Sequence, residues 1–144
     1  MKTMDQKEFA RENVFGLGAE NTTYGKYFIG KSYLNPLTNP ESGLFLANVT
    51  FEPGCRNNWH IHHADKGGGQ ILLVTGGRGY YQEWGKPARE LHPGDVVNIP
   101  ANAKHWHGAA PTSWFAHLAI EVPGENTKSE WCEPVDSEAY NKLN

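Results

Sequence analysis

Apolar residues recur along this chain in short alternating runs, and no long stripe of helical period is present. The run from Leu44 to Phe51 predicts a strand, because turn residues bound it at Glu41–Gly43 and at Pro53–Gly54. Further strands are predicted at intervals of roughly 8 to 12 residues, over Asn58–His63, Gln70–Thr75, Gly79–Trp84, Arg89–His92, Val96–Pro100 and Trp114–Glu121. Many short strands without crossover helices predict an all-β, antiparallel sandwich or barrel.

The two ends of the chain are predicted to contain short helices, whereas the middle is predicted to contain strands. Asp5–Glu12 is weakly helical, and a short helix is predicted over Glu138–Leu143, with Asp136 or Ser137 as its cap. With 144 residues the chain has the length of one domain. We divide it into an N-terminal arm (1–40) that packs on the barrel or on a partner subunit, a barrel core (41–123) and a C-terminal tail (124–144).

Charge and composition narrow the class of partner. Lys and Arg total 13 against 16 Asp and Glu, for a formal net charge of -3, and the basic residues are scattered. A nucleic-acid surface needs clustered basic residues, so no nucleic-acid partner is expected. The N-terminus does not resemble a secretory signal, and no run approaches the roughly 18 apolar residues of a membrane span. We therefore expect a cytoplasmic protein with no membrane partner.

The strand predicted over Trp114–Glu121 carries a histidine on a largely apolar face. Side chains alternate across a strand, which puts Phe115, His117, Ala119 and Glu121 on one face. Both faces are largely apolar, which is typical of a strand in the middle of a sandwich. His117 is therefore predicted to lie in the interior or at a cavity.

Two histidine pairs with the same spacing suggest a metal site. His60 and His62 stand at i and i+2, so on a strand they point the same way and can bind one ion. His105 and His107 repeat this spacing. Zinc-type and iron-type sites take three or four protein ligands, most often histidine nitrogens. His60, His62 and His105 offer three, and the amide oxygen of Gln70 is a candidate for the fourth.

Two stretches resemble the two sequence motifs of the cupin superfamily. In the first, five residues separate Gly54 from the His60-Ile61-His62 triplet, and six separate Gln70 from Gly77. The second runs from Gly94 through Pro100 to His105. The resemblance implies an antiparallel double-stranded β-helix, the cupin jelly-roll barrel, with His60, His62 and His105 as metal ligands.

The chain departs from those motifs in the first motif's loop and at two motif positions. Gln70 occupies the position of a glutamate, and seven residues, HADKGGG, separate it from His62 where three or four are usual. Asn102 replaces a glycine of the second motif, which is tolerable because asparagine also accepts left-handed turns. The longer gap makes His63 and Asp65 alternative fourth ligands, although the spacing to the next motif glycine favours Gln70.

Within the superfamily the chain is most similar to small bacterial cupins grouped with the carboxymuconolactone decarboxylase-type cupins, which include manganese-dependent hydroxynitrile lyases. The shared strings are Pro93–Val97, Lys104–Thr112 and His117–Ile120. The resemblance implies one divalent metal ion, manganese before iron, zinc or nickel, held by three histidines and a glutamine. It also implies that His117 faces the pocket.

These features lead to a hypothesis about function. An amide in place of a carboxylate leaves a divalent ion with its full charge among neutral ligands, so it should polarise a substrate oxygen strongly. His117, with His107 as second candidate, would move the proton while a carbon–carbon bond of a small-molecule substrate breaks or forms. The alternatives are an Fe(II)-dependent dioxygenase of small carbonyl or aromatic compounds, and a non-catalytic small-molecule-binding cupin. The arm and exposed strand edges suggest a homodimer or higher homo-oligomer.

Overall fold

The computed structural model describes residues 4–144, so the first three residues of the predicted arm lie outside the described residues. Its helices and strands, in chain order, are α1 (Gln6–Glu12), β1 (Ala19–Glu20), β2 (Phe28–Ile29), β3 (Ser32–Pro36), β4 (Leu46–Phe51), β5 (Arg56–Asn57), β6 (His60–His63), β7 (Lys66–Gly67), β8 (Gln70–Gly77), β9 (Gly79–Glu83), β10 (Arg89–Leu91), β11 (Val96–Ile99), β12 (His105–Ala109), β13 (Phe115–Glu121), β14 (Gly124–Glu125), β15 (Lys128–Trp131) and α2 (Ser137–Asn141).

Two antiparallel sheets face each other and enclose the core. One has the strand order β1-β3-β4-β13-β8-β11, and the other has the order β10-β9-β12-β5-β2, with β6 paired to both β12 and β15. Apolar side chains from both sheets fill the space between them: Val49, Phe51, Leu72, Val74, Tyr81, Leu91, Val97, Ile99 and Phe115. The predicted antiparallel double-stranded β-helix is confirmed.

Strand β13 lies at the centre of the first sheet, between β4 and β8. Its inward face carries Phe115 and His117, which are fully buried, and its outward face carries Ala116 and Leu118, which are also buried. The pairing with β8 shifts register between Ala116 and His117, and such a bulge re-aims the side chains beside it. A strand apolar on both faces thus lies in the middle of the sheet, with its histidine inside.

The N-terminal part of the chain belongs to both sheets. Helix α1 begins after Asp5, whose side chain forms a reciprocal capping box with Glu8. Phe9 of this helix stacks on Trp114 with ring centroids 5.2 Å apart. Strand β3 then pairs with β4, and β2 pairs with β5. The segment from β1 to β3 therefore completes one side of each sheet.

The C-terminal segment adds two strands that the hydrophobic pattern does not predict. Strand β15 pairs with β6, and β14 pairs with β7 in the loop that follows β6. Both are short and polar, so they form only where a partner edge is present. The predicted short C-terminal helix is α2, which covers Ser137–Asn141 and is capped by Asp136. Among residues 4–144, no helix is both long and apolar enough to span a membrane.

Candidate metal centre

Three histidines from two neighbouring strands meet inside the barrel. His60 and His62 project from the same face of β6, and the antiparallel pairing of β6 with β12 puts His105 directly opposite His60. One ring nitrogen from each lies within 4.8 Å of those of the other two. The structure thus brings together the three histidines that the spacing singled out.

Each of the three rings contacts a protein oxygen through Nδ1. His60 Nδ1 donates to the Asn58 carbonyl oxygen at 2.8 Å, and His105 Nδ1 donates to that of Ala103 at 2.9 Å. His62 Nδ1 lies 3.4 Å from the Ser129 hydroxyl oxygen. A ring that donates through Nδ1 presents the Nε2 lone pair to the cluster, which is how histidine ligands are usually oriented around a metal.

The cluster has the electrostatic properties of a ligand set. The Nε2 atoms of His62 and His105 are buried and have no hydrogen-bond partner in the protein. Burial lowers the pKa of His105 to about 4 and that of His60 well below its ordinary value, so both are neutral at pH 7. Burial also lowers the pKa of His62, and the nearby Glu121 carboxylate and the Gln70 amide partly offset this shift. Neutral imidazoles with free lone pairs are the form that binds metals.

Gln70 adds an oxygen donor at the start of β8. Its amide nitrogen Nε2 lies 3.3 Å from Glu121 Oε1, and its Oε1 is buried without a partner. A buried amide oxygen without a hydrogen bond costs about 1–3 kcal/mol unless another group satisfies it. Three imidazole nitrogens and one unsatisfied amide oxygen therefore fit a divalent cation, and the donor set contains no thiolate.

The two alternative fourth ligands point elsewhere. His63 pairs with Glu130, with His63 Nε2 2.7 Å from Glu130 Oε1. Asp65 is exposed, and its Oδ2 accepts from Asn126 Nδ2 at 2.6 Å. In the described part of the chain, the groups of His, Cys, Asp and Glu close enough to hold an ion comprise only the three histidines above. Gln70 is thus the candidate whose donor atom stays free.

His107 and His117 form a second, fully buried pair beside the cluster. His117 Nε2 lies 3.1 Å from His107 Nδ1. The side chain of Asn57 holds His107, since its Oδ1 accepts from the His107 backbone amide at 2.9 Å and its Nδ2 lies 3.3 Å from His107 Nε2. Burial lowers the pKa of His117 to about 4, and burial together with the neighbouring histidines lowers the pKa of His107 well below its ordinary value. The histidines predicted to move a proton are therefore neutral at pH 7 and in contact with each other.

A cavity of about 140 Å³ connects these groups. The imidazoles of His60, His62, His107 and His117 and the amide of Gln70 line its polar side. The apolar part of the lining consists of Phe28, Leu34, Phe45, Val49, Ala119 and Trp131, and Asn57, Glu121 and Ser129 add further polar groups. A larger groove of about 390 Å³ lies beside it and shares Phe45, His62, Glu121 and Ser129 with it. The groove and the cavity therefore adjoin beside His62.

The sequence alone assigned no role to three residues of this site: Asn57, Glu121 and Trp131. Trp131 lies opposite His60 in the β6–β15 pairing and stacks on its ring, with centroids 4.6 Å apart. Glu121 had a usable signal, because it shares the inward face of β13 with His117. For Trp131 no signal exists in the sequence, since only the pairing of a distant C-terminal strand places it at the site.

Comparisons with known proteins agree with this geometry. The family model described as the cupin domain matches residues 47–118. An (R)-mandelonitrile lyase from Granulicella tundricola is 43% identical over 118 residues, which cover 81% of this chain and 87% of that protein.

Solved structures extend the comparison. A cupin-like protein from Thermotoga maritima is 40% identical, with a TM-score of 0.77, over 91% of this chain and 96% of the other. The DMSP lyase DddQ from Ruegeria pomeroyi shares only the fold, with 18% identity and a TM-score of 0.55 over 81% of this chain and 57% of that one. The three-histidine group, together with the cupin-domain match and the similarity to the (R)-mandelonitrile lyase, indicates a metal-binding site.

Proposed function

Because the chain belongs to the cupin family, we propose that it is a metal-dependent lyase that cleaves or forms a carbon–carbon bond in a small molecule, with a cyanohydrin as the model substrate. The observation that carries this proposal is the cavity itself. It brings the free donor atoms of His62 and Gln70 to the same space as the neutral His107–His117 pair, and the ring nitrogen of His105 lies within 4.8 Å of those of His60 and His62. The similarity to an (R)-mandelonitrile lyase supports the choice of reaction.

The proposed ligands are His60, His62, Gln70 and His105. When bound there, a divalent ion supplies a Lewis acid, with manganese the first candidate and iron, zinc or nickel the alternatives. Nitrogen and oxygen donors without thiolate suit these ions better than a soft metal. The buried Cys55 is no competing ligand, because burial raises the pKa of its thiol to about 12.

His117 is proposed to handle the proton. In cyanohydrin cleavage the hydroxyl O–H bond breaks and its proton moves to His117, while the C–CN bond breaks and its electron pair leaves with cyanide. His117 then returns the proton to cyanide, giving hydrogen cyanide and an aldehyde. The low pKa of His117 favours this return, because a buried imidazolium gives up its proton readily. His107, at 3.1 Å, keeps the His117 ring in place.

The cavity walls are proposed to select the substrate. At about 140 Å³ the space suits a small aldehyde or its cyanohydrin. The oxygenated end would face the histidines, and the body of the molecule would pack against Phe28, Leu34 and Trp131. Water is displaced from these apolar walls, so the proton exchanged between His117 and the substrate does not leak to solvent.

An assay with racemic mandelonitrile tests the reaction. The protein is loaded with manganese and incubated without oxygen, and benzaldehyde and cyanide are both measured. We expect equal amounts of the two products, no turnover after chelation, and a loss of at least about 100-fold in kcat for His117→Ala. Absence of both products with every candidate metal would refute the lyase. Turnover that requires oxygen would indicate the dioxygenase, and tight ligand binding without turnover would indicate a binding protein.

Metal analysis tests the ligand set independently of activity. His62→Ala and His105→Ala should each lower manganese affinity by at least about 100-fold, because even partners outside the ligand shell cost 10- to 100-fold. His63→Ala and His92→Ala are matched controls, since these histidines face Glu130 and Glu90. Equal metal loss in all four variants would refute the assignment.

A further inference from the structure

The side chain of Glu121 lies directly behind Gln70. The two residues are opposite each other in the β13–β8 pairing, and Gln70 Nε2 lies 3.3 Å from Glu121 Oε1. The oxygen and nitrogen of a glutamine amide are nearly indistinguishable by shape, so its orientation must follow from its partners. An ionised carboxylate can only accept hydrogen bonds. The NH₂ of Gln70 must therefore face Glu121, and its Oε1 must face away.

The other end of the Gln70 amide, its oxygen Oε1, has no hydrogen-bond partner in the protein. This oxygen is buried, and the Nε2 atoms of His62 and His105 are likewise buried without a partner. Gln70, His62 and Glu121 all line the same cavity. Because the Gln70 NH₂ is hydrogen-bonded to Glu121, Gln70 Oε1 stays available to the three-histidine group.

We propose that Glu121 is a positioning residue that fixes the Gln70 amide with its oxygen toward the metal site, and that Glu121 is the reason why glutamine occupies this position. The inference rests on the metal site of the proposed function and not on the lyase reaction.

Electrostatics explain why the pair is arranged this way. A glutamate at position 70 would put two carboxylates at hydrogen-bond distance, and two like charges that close cannot both ionise without cost. With glutamine at this position the contact is a hydrogen bond to a charged acceptor, which is stronger than a bond between neutral groups. The motif usually supplies a negative charge through a glutamate ligand. Here that charge lies on Glu121, which contacts the proposed ligand Gln70 and is not itself a proposed ligand.

Exchanging the two side chains tests the arrangement. The proteins compared are the wild type, Glu121→Gln, Gln70→Glu and the double variant Gln70→Glu/Glu121→Gln. Manganese affinity is measured by competition with a chelator, and the visible spectrum of the cobalt-substituted protein reports on the ligands. No substrate is needed, so the result does not depend on lyase activity.

We expect Glu121→Gln to weaken manganese binding by about 10- to 100-fold and to change the cobalt spectrum, because the introduced amide can accept or donate and no longer fixes the orientation of Gln70. Gln70→Glu should also bind more weakly, because the two carboxylates repel each other. In the double variant the amide introduced at position 121 donates to the carboxylate introduced at position 70, which restores the hydrogen bond with reversed polarity. If the two substitutions acted independently, the fold-loss of manganese affinity in the double variant would equal the product of the two single fold-losses. We expect the observed loss to be smaller than that product by at least about tenfold.

A matched control and a folding check complete the design. Glu125→Gln removes the same charge from an exposed position on β14 and should leave affinity and spectrum unchanged. Thermal unfolding of each metal-free protein verifies that the fold is intact. Additive effects, or an unchanged cobalt spectrum in Glu121→Gln, would overturn the positioning role. A wild-type protein that binds no divalent metal would instead refute the metal site, and one that binds metal without cleaving mandelonitrile would refute only the lyase.

Discussion

Asn102 holds Ala64 by both of its backbone groups. Its Oδ1 accepts from the Ala64 amide at 3.1 Å, and its Nδ2 donates to the Ala64 carbonyl oxygen at 3.1 Å. The Asn102 backbone amide also donates to the His62 carbonyl oxygen at 2.8 Å. Asn102 has a left-handed φ of 70°, the conformation for which the motif uses glycine. The asparagine and the longer loop between His62 and Gln70 are therefore one structural unit.

Replacing Asn102 by glycine should release that loop. Asn102→Gly keeps the left-handed backbone accessible but removes two hydrogen bonds to Ala64, for a loss of about 1–3 kcal/mol in the free energy of unfolding. Urea unfolding measures that loss, and hydrogen exchange should show faster exchange at residues 63–69. Asn126→Gly is a graded comparison. Asn126 also has a positive φ, but its side chain makes only one exposed hydrogen bond to the same loop, to Asp65, so exchange at residues 63–69 should rise less than in Asn102→Gly. If residues 63–69 exchange at the wild-type rate in Asn102→Gly, Asn102 does not hold the loop.

Removing the Trp131 ring should weaken both the site and the fold. The ring is stacked between His60, at 4.6 Å, and Tyr27, at 4.5 Å between centroids. Trp131→Ala should lower the free energy of unfolding by about 2–3 kcal/mol, below the range for a fully buried tryptophan because Trp131 is half-buried. Manganese affinity should fall as well, because His60 loses the ring that holds its plane. Trp131→Phe should retain most of both.

Trp84→Ala is the control for Trp131→Ala. Trp84 is 58% exposed and packs on Trp59 and Lys104, away from the cavity. Trp84→Ala should therefore leave manganese affinity unchanged. If the alanine variants at 131 and 84 bind manganese equally well, the stack on His60 has no part in holding the metal.

The stability of the metal-free protein should depend on pH through His117. Burial lowers the pKa of this histidine from 6.5 to about 4. Between these values the unfolded chain binds more protons than the folded one, so the free energy of unfolding falls as the pH drops from 6.5 to 4. At 1.36 kcal/mol for each pKa unit, His117 accounts for about 3 kcal/mol of that fall.

His117→Asn should flatten this dependence. Urea unfolding of wild type and variant at several pH values between 4 and 7 gives the two slopes. The difference between them reports His117 together with its effect on His107, whose pKa the neighbouring His117 also lowers. The buried His105 and His107 act in the same direction and remain in both proteins. Parallel curves for the two proteins would show that His117 does not titrate with a lowered pKa.

Alternation and spacing, which are local properties, were sufficient to predict an antiparallel sandwich or barrel and half of the site, and the motif resemblance implied the double-stranded β-helix. The i and i+2 spacing puts His60 and His62 on one face of any strand, and the two apolar faces of residues 114–121 predict an interior strand with His117 inside. Both follow from the two-residue period of a strand, whatever its neighbours are. The repeated spacing at His105 and His107 made His105 a candidate, and the motif resemblance implied that it is the third ligand.

The remaining features depend on which strands pair and in which register. The free donor of Gln70 and the turned-away side chains of His63 and Asp65 follow from contacts with Glu121, Glu130 and Asn126. Each of these partners lies more than fifty positions away in the chain, on or beside strands β13 to β15. Hydrophobic pattern does not encode such pairings, because a short polar strand such as β15 forms only against an edge that the rest of the fold has already built. The sequence by itself determined the barrel and the facing histidines, and the tertiary structure decided which polar atoms stay free to bind.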